Sequence, residues 1–338
     1  MPVTKVLILN WNGSGHLRRF LPSVIRTTPD DIGIVVVDNG STDDSAEVVR
    51  VEFPEVELLS LDDNYGYAGG YNRAVAALEA DYFILLNSDV EPAEGWCGPL
   101  VAALDDNPEI IAVQPKIRSL QERSRFEYAG ACGGFIDRFG YPFCRGRVFS
   151  TTETDDGQYD TFSYCFWASG ACLACRREMF TTVGGLDEDF FAHMEEIDMC
   201  WRAQKFGWKI AVEPSSIVYH LGGGTLPVNS PRKVYLNFRN NLAMLYKNLP
   251  SGSRRWVIPV RMILDGVSAC MFLLQGHGGL FRQVFAAHMD FYRWKKALRP
   301  KRAEIASRTV SEPEGVFHWS VVFRYFVMRR RRFSDICK

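Results

Sequence analysis

Three carboxylates crowd the start of one amphipathic segment, Phe190-Phe191-Ala192-His193-Met194-Glu195-Glu196-Ile197-Asp198-Met199-Cys200-Trp201-Arg202. On a helix, Glu195 and Asp198 share a face, and Arg202 stands one turn beyond Asp198. Asp198 can pair with Arg202 while a neighbouring carboxylate enters a crevice. Crowded like charges raise a carboxylate's pKa, which suits a general base. An acidic helix start favoured by the helix dipole explains the same residues without chemistry. A second candidate closes the run Tyr82-Phe83-Ile84-Leu85-Leu86-Asn87-Ser88-Asp89. The apolar part reads as a buried strand. In an open α/β sheet the ligand crevice lies beyond the carboxyl ends of the strands, so Asp89 is expected at its lip. A hard carboxylate there can hold a divalent cation, and the cation a diphosphate. The competing reading is a polar turn in which Asn87 or Asp89 caps a helix. His220, in His220-Leu221-Gly222-Gly223-Gly224-Thr225, adds an imidazole beside glycines that permit close approach to a ligand.

Two further clusters lie where strands end. In Asp38-Asn39-Gly40-Ser41-Thr42-Asp43 the first carboxylate ends an apolar run, where it can accept a hydrogen bond from a base or a ribose hydroxyl. Asp43 is equally explained by a helix start. In Asn64-Tyr65-Gly66-Tyr67-Ala68-Gly69-Gly70-Tyr71-Asn72 the glycines expose N–H groups to an anion. The spacing is not G-x-G-x-x-G and follows the third strand, which disfavours a dinucleotide fold. Asn64 and Asn72 can bond a sugar or base, and each also suits a turn or helix.

The elements that position these residues alternate. Strands are expected at Lys5–Asn10, Gly33–Asn39, Val56–Ser60 and Tyr82–Leu86, with helices at His16–Thr27, Ala46–Val51 and Tyr67–Glu79. That alternation means βαβ units and a mostly parallel sheet flanked by helices. Between Arg118 and Thr161 the pattern dissolves into loops and short strands, read as an insertion over the crevice that carries donor selectivity. Strand material returns at Phe162–Cys175, broken at Ser169-Gly170. A helix over Ala192–Phe206, a short strand Trp208–Val212, a glycine-rich loop Tyr219–Asn229 and a helix Ser230–Lys247 with Pro231 in its first turn complete the body.

Charge divides the chain. Residues 250–338 hold 17 Lys and Arg against 6 Asp and Glu, which leaves 22 against 34 in residues 1–249. The expected organisation is an acidic catalytic body, 1–249, with the insertion at 118–161, and a basic, amphipathic helical C-terminal region, 250–338. Trp256–Leu274 is apolar but contains Arg261 and Asp265, so it reads as a surface helix rather than a span. Lys and Arg in Tyr292–Arg308, the aromatic Val316–Val327 and the run Arg329–Arg332 suit a cytoplasmic membrane surface. Nucleic acid is not an expected partner, because the acidic body would be repelled. Val3–Asn10 is too short for a signal peptide, and nine unpatterned cysteines suit reduced thiols in a cytoplasm. The lone pair Cys172-x-x-Cys175 reads as buried thiols rather than a zinc site.

In this order, the clusters resemble the inverting family 2 glycosyltransferases of GT-A fold. The matching segments are Asn10-Trp11-Asn12, Asp38–Asp43, Asn64/Gly66/Gly69/Asn72, Asn87-Ser88-Asp89, Ser169-Gly170-Ala171, Gly184-Gly185-Leu186-Asp187-Glu188, Glu195-Glu196-x-Asp198 and His220. The resemblance runs from Val3 to Lys247 and is nearest the rhamnosyltransferase-like branch that builds bacterial cell-envelope polysaccharide. It implies a metal-dependent hexosyltransferase using Mg²⁺ or Mn²⁺ on Asp89 and His220. Asp38 would hold the nucleobase, with Asn10, Asn12, Asn64, Gly69, Asn72, Asn87 and Ser88 on the donor side. Trp167, Ser169, Gly170 and Ala171 would line the acceptor side. The base would be Glu196, with Glu195 as the alternative. Two departures stand out: Asn87 replaces a frequent Asp, and Glu196 is one methylene longer than the family's Asp.

The expected reaction moves a sugar, rhamnose among the candidates, from a nucleoside diphosphate to a glycan, polyprenyl-linked or at the cell surface. The expected location is cytoplasmic, peripheral on the inner face of the membrane. Two other classes fit parts of the pattern. A nucleotidyltransferase would need a phosphate-binding Lys in a loop such as Asn12-Gly13-Ser14-Gly15-His16, which has none. A binding module for nucleotide-sugar or glycan would lack donor hydrolysis.

Overall fold

Apolar runs become strands and the amphipathic stretches between them become helices in the computed structural model, which describes residues 2–222 and 230–337. In chain order the body contains β1 (Thr4–Asn10), α1 (Ser14–Thr27), β2 (Gly33–Asn39), α2 (Ser45–Glu52), β3 (Glu57–Leu61), α3 (Gly66–Ala77), β4 (Tyr82–Asn87), β5 (Val90–Pro92), α4 (Cys97–Asp106) and β6 (Ile110–Ser119). Short strands follow: β7 (Gly134–Asp137), β8 (Pro142–Cys144), β9 (Arg147–Val148), β10 (Thr151–Thr152), β11 (Ser163–Cys165) and β12 (Cys172–Arg176). Then come α5 (Glu178–Thr181), α6 (Glu195–Lys205), β13 (Lys209–His220), α7 (Pro231–Asn248), α8 (Ser251–Leu274), α9 (Gly278–Arg308), β14 (Val316–Phe317) and α10 (Phe333–Ile336).

The main sheet runs β11-β13-β6-β12-β4-β1-β2-β3, with β5 pairing β13. Its β3-β2-β1-β4 half is parallel, as expected. The other half is mixed, because β12 lies antiparallel between β4 and β6. The cause is the path of the chain. After β6 it builds a second sheet, β10-β9-β8-β7-β14, and returns through the main sheet in the opposite direction. That second sheet is the segment expected as loops and short strands at 118–161, joined by β14 from the C-terminal region. Residues 90–117, unassigned from the sequence, form β5, α4 and β6.

Two boundaries move. The helix expected from Ala192 starts at Glu195, because Phe191, His193 and Met194 take φ of 63°, 70° and 74°, outside the helical region. The short strand Trp208–Val212 extends to His220, so His220 ends a strand instead of opening a loop. Gly223, Gly224 and Thr225 lie outside the described residues. Ser230 caps α7 by accepting from the N–H of Lys233, with Pro231 at the first turn as expected. Cys172 and Cys175 are free and buried, and alternation along β12 sends them into separate cores on the two faces of the sheet.

The C-terminal region packs on the body. Helix α9 lies along α7, and Phe317 and Phe333 stack on Phe135 and Phe143 of the second sheet. Helix α8 is long and apolar enough to cross a membrane by length and composition. Yet Arg261 and Asp265 are buried within the protein and joined at 2.7 Å. Arg261 also donates to the Gly140 carbonyl and to Asn241, and Asp265 meets His288 at 3.3 Å. One face of α8 is therefore committed to protein. Removing one partner of a buried pair strands the other, so Arg261→Met is expected to cost about 3–5 kcal/mol. Urea unfolding checks this, and an unchanged midpoint would mean that the pair contributes nothing.

Candidate functional site

The carboxyl ends of β1, β2 and β4 and the start of α3 are stitched into one edge by side-chain amides. Asn10 ends β1 and points its Nδ2 at Asp38 Oδ1 (3.5 Å) and Ser41 Oγ (3.4 Å). Its Oδ1 is buried with no hydrogen-bond partner among the described residues. Asn12, at φ 51°, accepts from the N–H groups of Thr42 and Asp43 at 2.7 and 3.3 Å, locking the β1 turn onto the β2 turn. Asp38 is 5% exposed at the end of β2. Next to it, Asn39 donates to Asn64 and to the Gly66 carbonyl and accepts from Tyr65 N–H. Asn64 also accepts from Gly66 N–H at 2.9 Å.

Glycine is required where α3 meets this edge. Gly66 has φ of 68°, and a Cβ there would stand 2.9 Å from the Phe191 ring. A Cβ on Gly69 would meet Tyr65 at 2.8 Å. Asn72, expected on the donor, uses its amide otherwise: it donates to the Leu186 carbonyl and accepts from Leu186 N–H, at 2.8 and 3.0 Å.

Asp89 and His220 meet because of a short hairpin-like pairing. Val90 of β5 registers with His220 at the end of β13. His220 Nε2 lies 3.1 Å from Asp89 Oδ1, and both residues are buried. On the far side of the ring, Nδ1 lies 3.3 Å from Glu127 Oε2. Burial disfavours the imidazolium, but hydrogen bonds and charge from Asp89 and Glu127 win and lift His220 to about 10. Burial pushes Asp89 up, and His220 outweighs it, holding the carboxyl below its ordinary value. Asp89 and His220 are the residues that would hold a divalent cation here. A carboxylate oxygen and an imidazole nitrogen at this separation suit Mg²⁺ or Mn²⁺, with an orienting carboxylate behind the ring. Among the described residues no three His, Cys, Asp or Glu side chains converge as a metal cluster, so remaining ligands would come from substrate or water. Asn87 and Ser88 lie half-buried beside this pair, and Asn87 N–H donates to the Ala171 carbonyl at 3.0 Å.

Within α6 the three acidic residues diverge. Asp198 is fully buried and bonded to Arg202 (2.9 Å), Lys247 (2.8 Å) and Asn248 (2.8 Å). Glu195 and Glu196 each carry a buried Oε2 without a hydrogen-bond partner among the described residues. Burial, then the charge of Glu196, pushes Glu195 well above the usual carboxyl range. Burial raises Glu196 only to about 6. Burial and crowding thus both favour protonation within this pair. Both act on Tyr67, whose hydroxyl donates to the Gly170 carbonyl at 2.7 Å. That bond joins α3 to the 167–171 segment.

Trp167 and Ser169, expected on the acceptor side, are buried, and their polar groups are spent on the fold. Trp167 Nε1 donates to the Phe135 carbonyl, and Ser169 Oγ donates to the Ala129 carbonyl. Ala171 N–H in turn donates to Ser169 Oγ at 3.2 Å. Sequence reading passed over Glu127, Asn39, Tyr67 and Asn240. Asn240 donates to the carbonyls of Phe190, Ala192 and His193, which fixes the turn before α6. Glu127 had no signal, since its segment has no periodicity. Asn39 and Tyr67 stood inside quoted clusters, where strand-end and glycine-rich context marks them.

The sequence profile described as "Glycosyl transferase family 2" matches residues 5–184. An "N-acetylglucosaminyl-diphospho-decaprenol L-rhamnosyltransferase" of Mycobacterium tuberculosis is 31% identical over 233 residues, 64% of this chain and 76% of that one. Among solved structures, residues 1–349 of S. aureus TarS in complex with UDP-GlcNAc superpose with a TM-score of 0.57 at 14% identity, covering 90% of this chain and 89% of that one. A mannosyltransferase from Pyrobaculum calidifontis in complex with GDP-Man and Mn²⁺ gives 0.52 at 13% identity, covering 91% and 86%. These two likenesses show a shared fold.

Proposed function

Because the chain belongs to glycosyl transferase family 2, we propose that it inverts the anomeric carbon of a sugar, rhamnose among the candidates, as it moves that sugar from a nucleoside diphosphate to a lipid-linked glycan. The observation that carries this reading is one edge of the sheet. There the Asn10–Asp38 hydrogen bond, the Asp89–His220 pair and the two carboxylates with an unpartnered oxygen among the described residues lie on adjoining segments. The mycobacterial relative, whose name specifies a diphospho-decaprenol acceptor, supports the lipid-linked part.

Asp38 and Asn10 take the base and ribose end of the donor. Asp89 and His220 would hold Mg²⁺ or Mn²⁺, which when bound offsets the charge of the leaving diphosphate. Glu196, ionised at neutral pH, accepts the proton of the acceptor hydroxyl as that oxygen attacks the sugar. Beside it, burial and then the charge of Glu196 favour the neutral form of Glu195. A non-catalytic binding module would have no use for two carboxylates left buried and unpaired.

Removing the base is expected to lower kcat by about 10²–10⁴-fold in Glu196→Gln while donor affinity is kept. The rate of the unaltered protein should fall as pH drops through about 6, where Glu196 takes up a proton, rather than near the ordinary 4.5. Near-normal turnover in Glu196→Gln with a dead Glu195→Gln would move the base to Glu195. For the cation, Mn²⁺ titration followed by electron paramagnetic resonance reads the site without turnover. Asp89→Ala should abolish tight binding, and Glu127→Gln should weaken it about 10–100-fold by freeing the His220 ring. Undiminished Mn²⁺ binding in Asp89→Ala would place the metal elsewhere.

The exposed apolar face of α8, with Ile263, Val267, Met271 and Leu274, supports a peripheral seat on the inner face of the cell membrane. Flotation with anionic vesicles should be lost in Ile263→Glu/Val267→Glu. Equal flotation of variant and parent would remove α8 from that role.

A further inference from the structure

A cavity of about 570 Å³ lies between the first turns of α7, the start of α9 and the turn Asp189–Phe191. That volume is in the range of small-molecule sites. It shares no lining residue with the donor edge. Two guanidiniums stand in its walls. Arg232 lies over the Phe191 ring at 5.0 Å, and Arg239 over Trp294 at 4.8 Å and Tyr235 at 5.4 Å. The carboxylate in the wall, Asp189, is already paired with Lys301 at 2.7 Å. The lining together with its paired lysine is therefore net positive.

The floor of this cavity is the turn that delivers the chain to Glu195. Arg239 donates to the carbonyls of Asp189 and Phe190 at 3.3 and 3.4 Å, and Asn240 holds the next carbonyls from the same helix. Phe191 is a shared wall: its ring meets Arg232 on the cavity side and packs against Gly66 at the start of α3. An anion held here sits four or five residues of chain from the carboxylate pair. Gln283, in its wall, stands two residues before the exposed Phe285 of α9, with Met289 and Tyr292 exposed one and two turns on. A positive pocket next to the catalytic turn and bordered by exposed apolar helix suits a molecule with an anionic head, a sugar on one side and a hydrocarbon chain on the other. Guanidiniums recognise phosphate oxygens in pairs, and their stacking on aromatic rings holds them in place.

We propose that this cavity receives the phosphate or diphosphate head of the lipid-linked acceptor, holding its sugar toward Glu196 and its chain along α9. The proposal rests on the transferase reading above and names how that site takes its second substrate. Arg232 and Gln283 are the selecting side chains. Arg239 is a positioning residue, because its hydrogen bonds go to the backbone.

The test is equilibrium binding of geranylgeranyl diphosphate, geranylgeraniol, inorganic pyrophosphate and phosphatidylglycerol vesicles to the full chain, with the donor nucleotide titrated in parallel. Geranylgeranyl diphosphate should bind at least about tenfold more tightly than the alcohol or pyrophosphate, because only it offers both parts of the chemistry. Arg232→Glu and Gln283→Glu should each weaken it about tenfold or more, and Arg232→Lys should restore part of the loss. Retained donor-nucleotide binding and an unchanged melting temperature would show that the variants are folded. Equal binding of the alcohol would leave only an apolar surface, and equal binding of pyrophosphate only an anion site. Vesicle binding that survives while the diphosphate does not compete would point to a phospholipid headgroup. Each of these overturns the proposal, as does unweakened binding in both charge variants. Donor binding without any binding of the lipid diphosphate overturns the cavity alone. Loss of both from the unaltered protein overturns the transferase reading beneath it.

Discussion

A single buried carboxylate organises the catalytic half of this protein. Asp198 has no exposed surface and is bonded by Arg202, Lys247 and Asn248. Lys247 reaches on to Asp187 at 2.6 Å, and Lys301 of α9 reaches the same carboxylate at 2.6 Å. Burial pushes Asp187 up, but Lys247 and then Lys301 outweigh it and hold it well below the usual range. Burying charge is costly unless each group is paired and hydrogen-bonded. Through these bonds Asp198 and Asp187 tie α6, α7 and α9 into one network. The direction of the first turn of α6 is thereby fixed, and with it the positions of Glu195 and Glu196.

The carboxylates of α6 thus serve opposite ends. Asp198 is saturated with partners and holds structure. One turn earlier, Glu195 and Glu196 each keep an oxygen with no partner among the described residues, at a burial that raises both pKa values. A fold tolerates unsatisfied buried groups at few places, and these are candidates for chemistry. The left-handed residues Phe191, His193 and Met194 have the same character. They are strained positions over-determined by Asn240 and the surrounding packing.

The basic C-terminal region completes the body as well as offering a surface. Lys301 enters the Asp187 network, β14 pairs with β7, and the Arg261–Asp265 pair docks α8 onto the second sheet through Gly140. A subset of its apolar side chains on α8 and α9, Ile263, Val267, Phe285 and Met289 among them, is exposed. One region therefore both braces the fold and leaves apolar side chains exposed.

The sequence by itself determined the strands β1 to β4, the helices between them, the four clusters at strand ends and the Asp198–Arg202 pair. These follow from local periodicity, the short reach of strand-to-helix turns and the i, i+4 geometry of a helix, all of which act within a few residues. It also carried the pairing of Asp89 with His220, but only through resemblance, because 131 residues separate them. The tertiary structure decided what depends on distant segments meeting. It placed Glu127 of the insertion behind His220 and turned Asn72 inward onto Leu186. Trp167 and Ser169 became packing groups, and burial separated Glu195 from Glu196. None of these leaves a periodic trace, because burial and hydrogen-bond partners are properties of the packed interior rather than of neighbours in the chain.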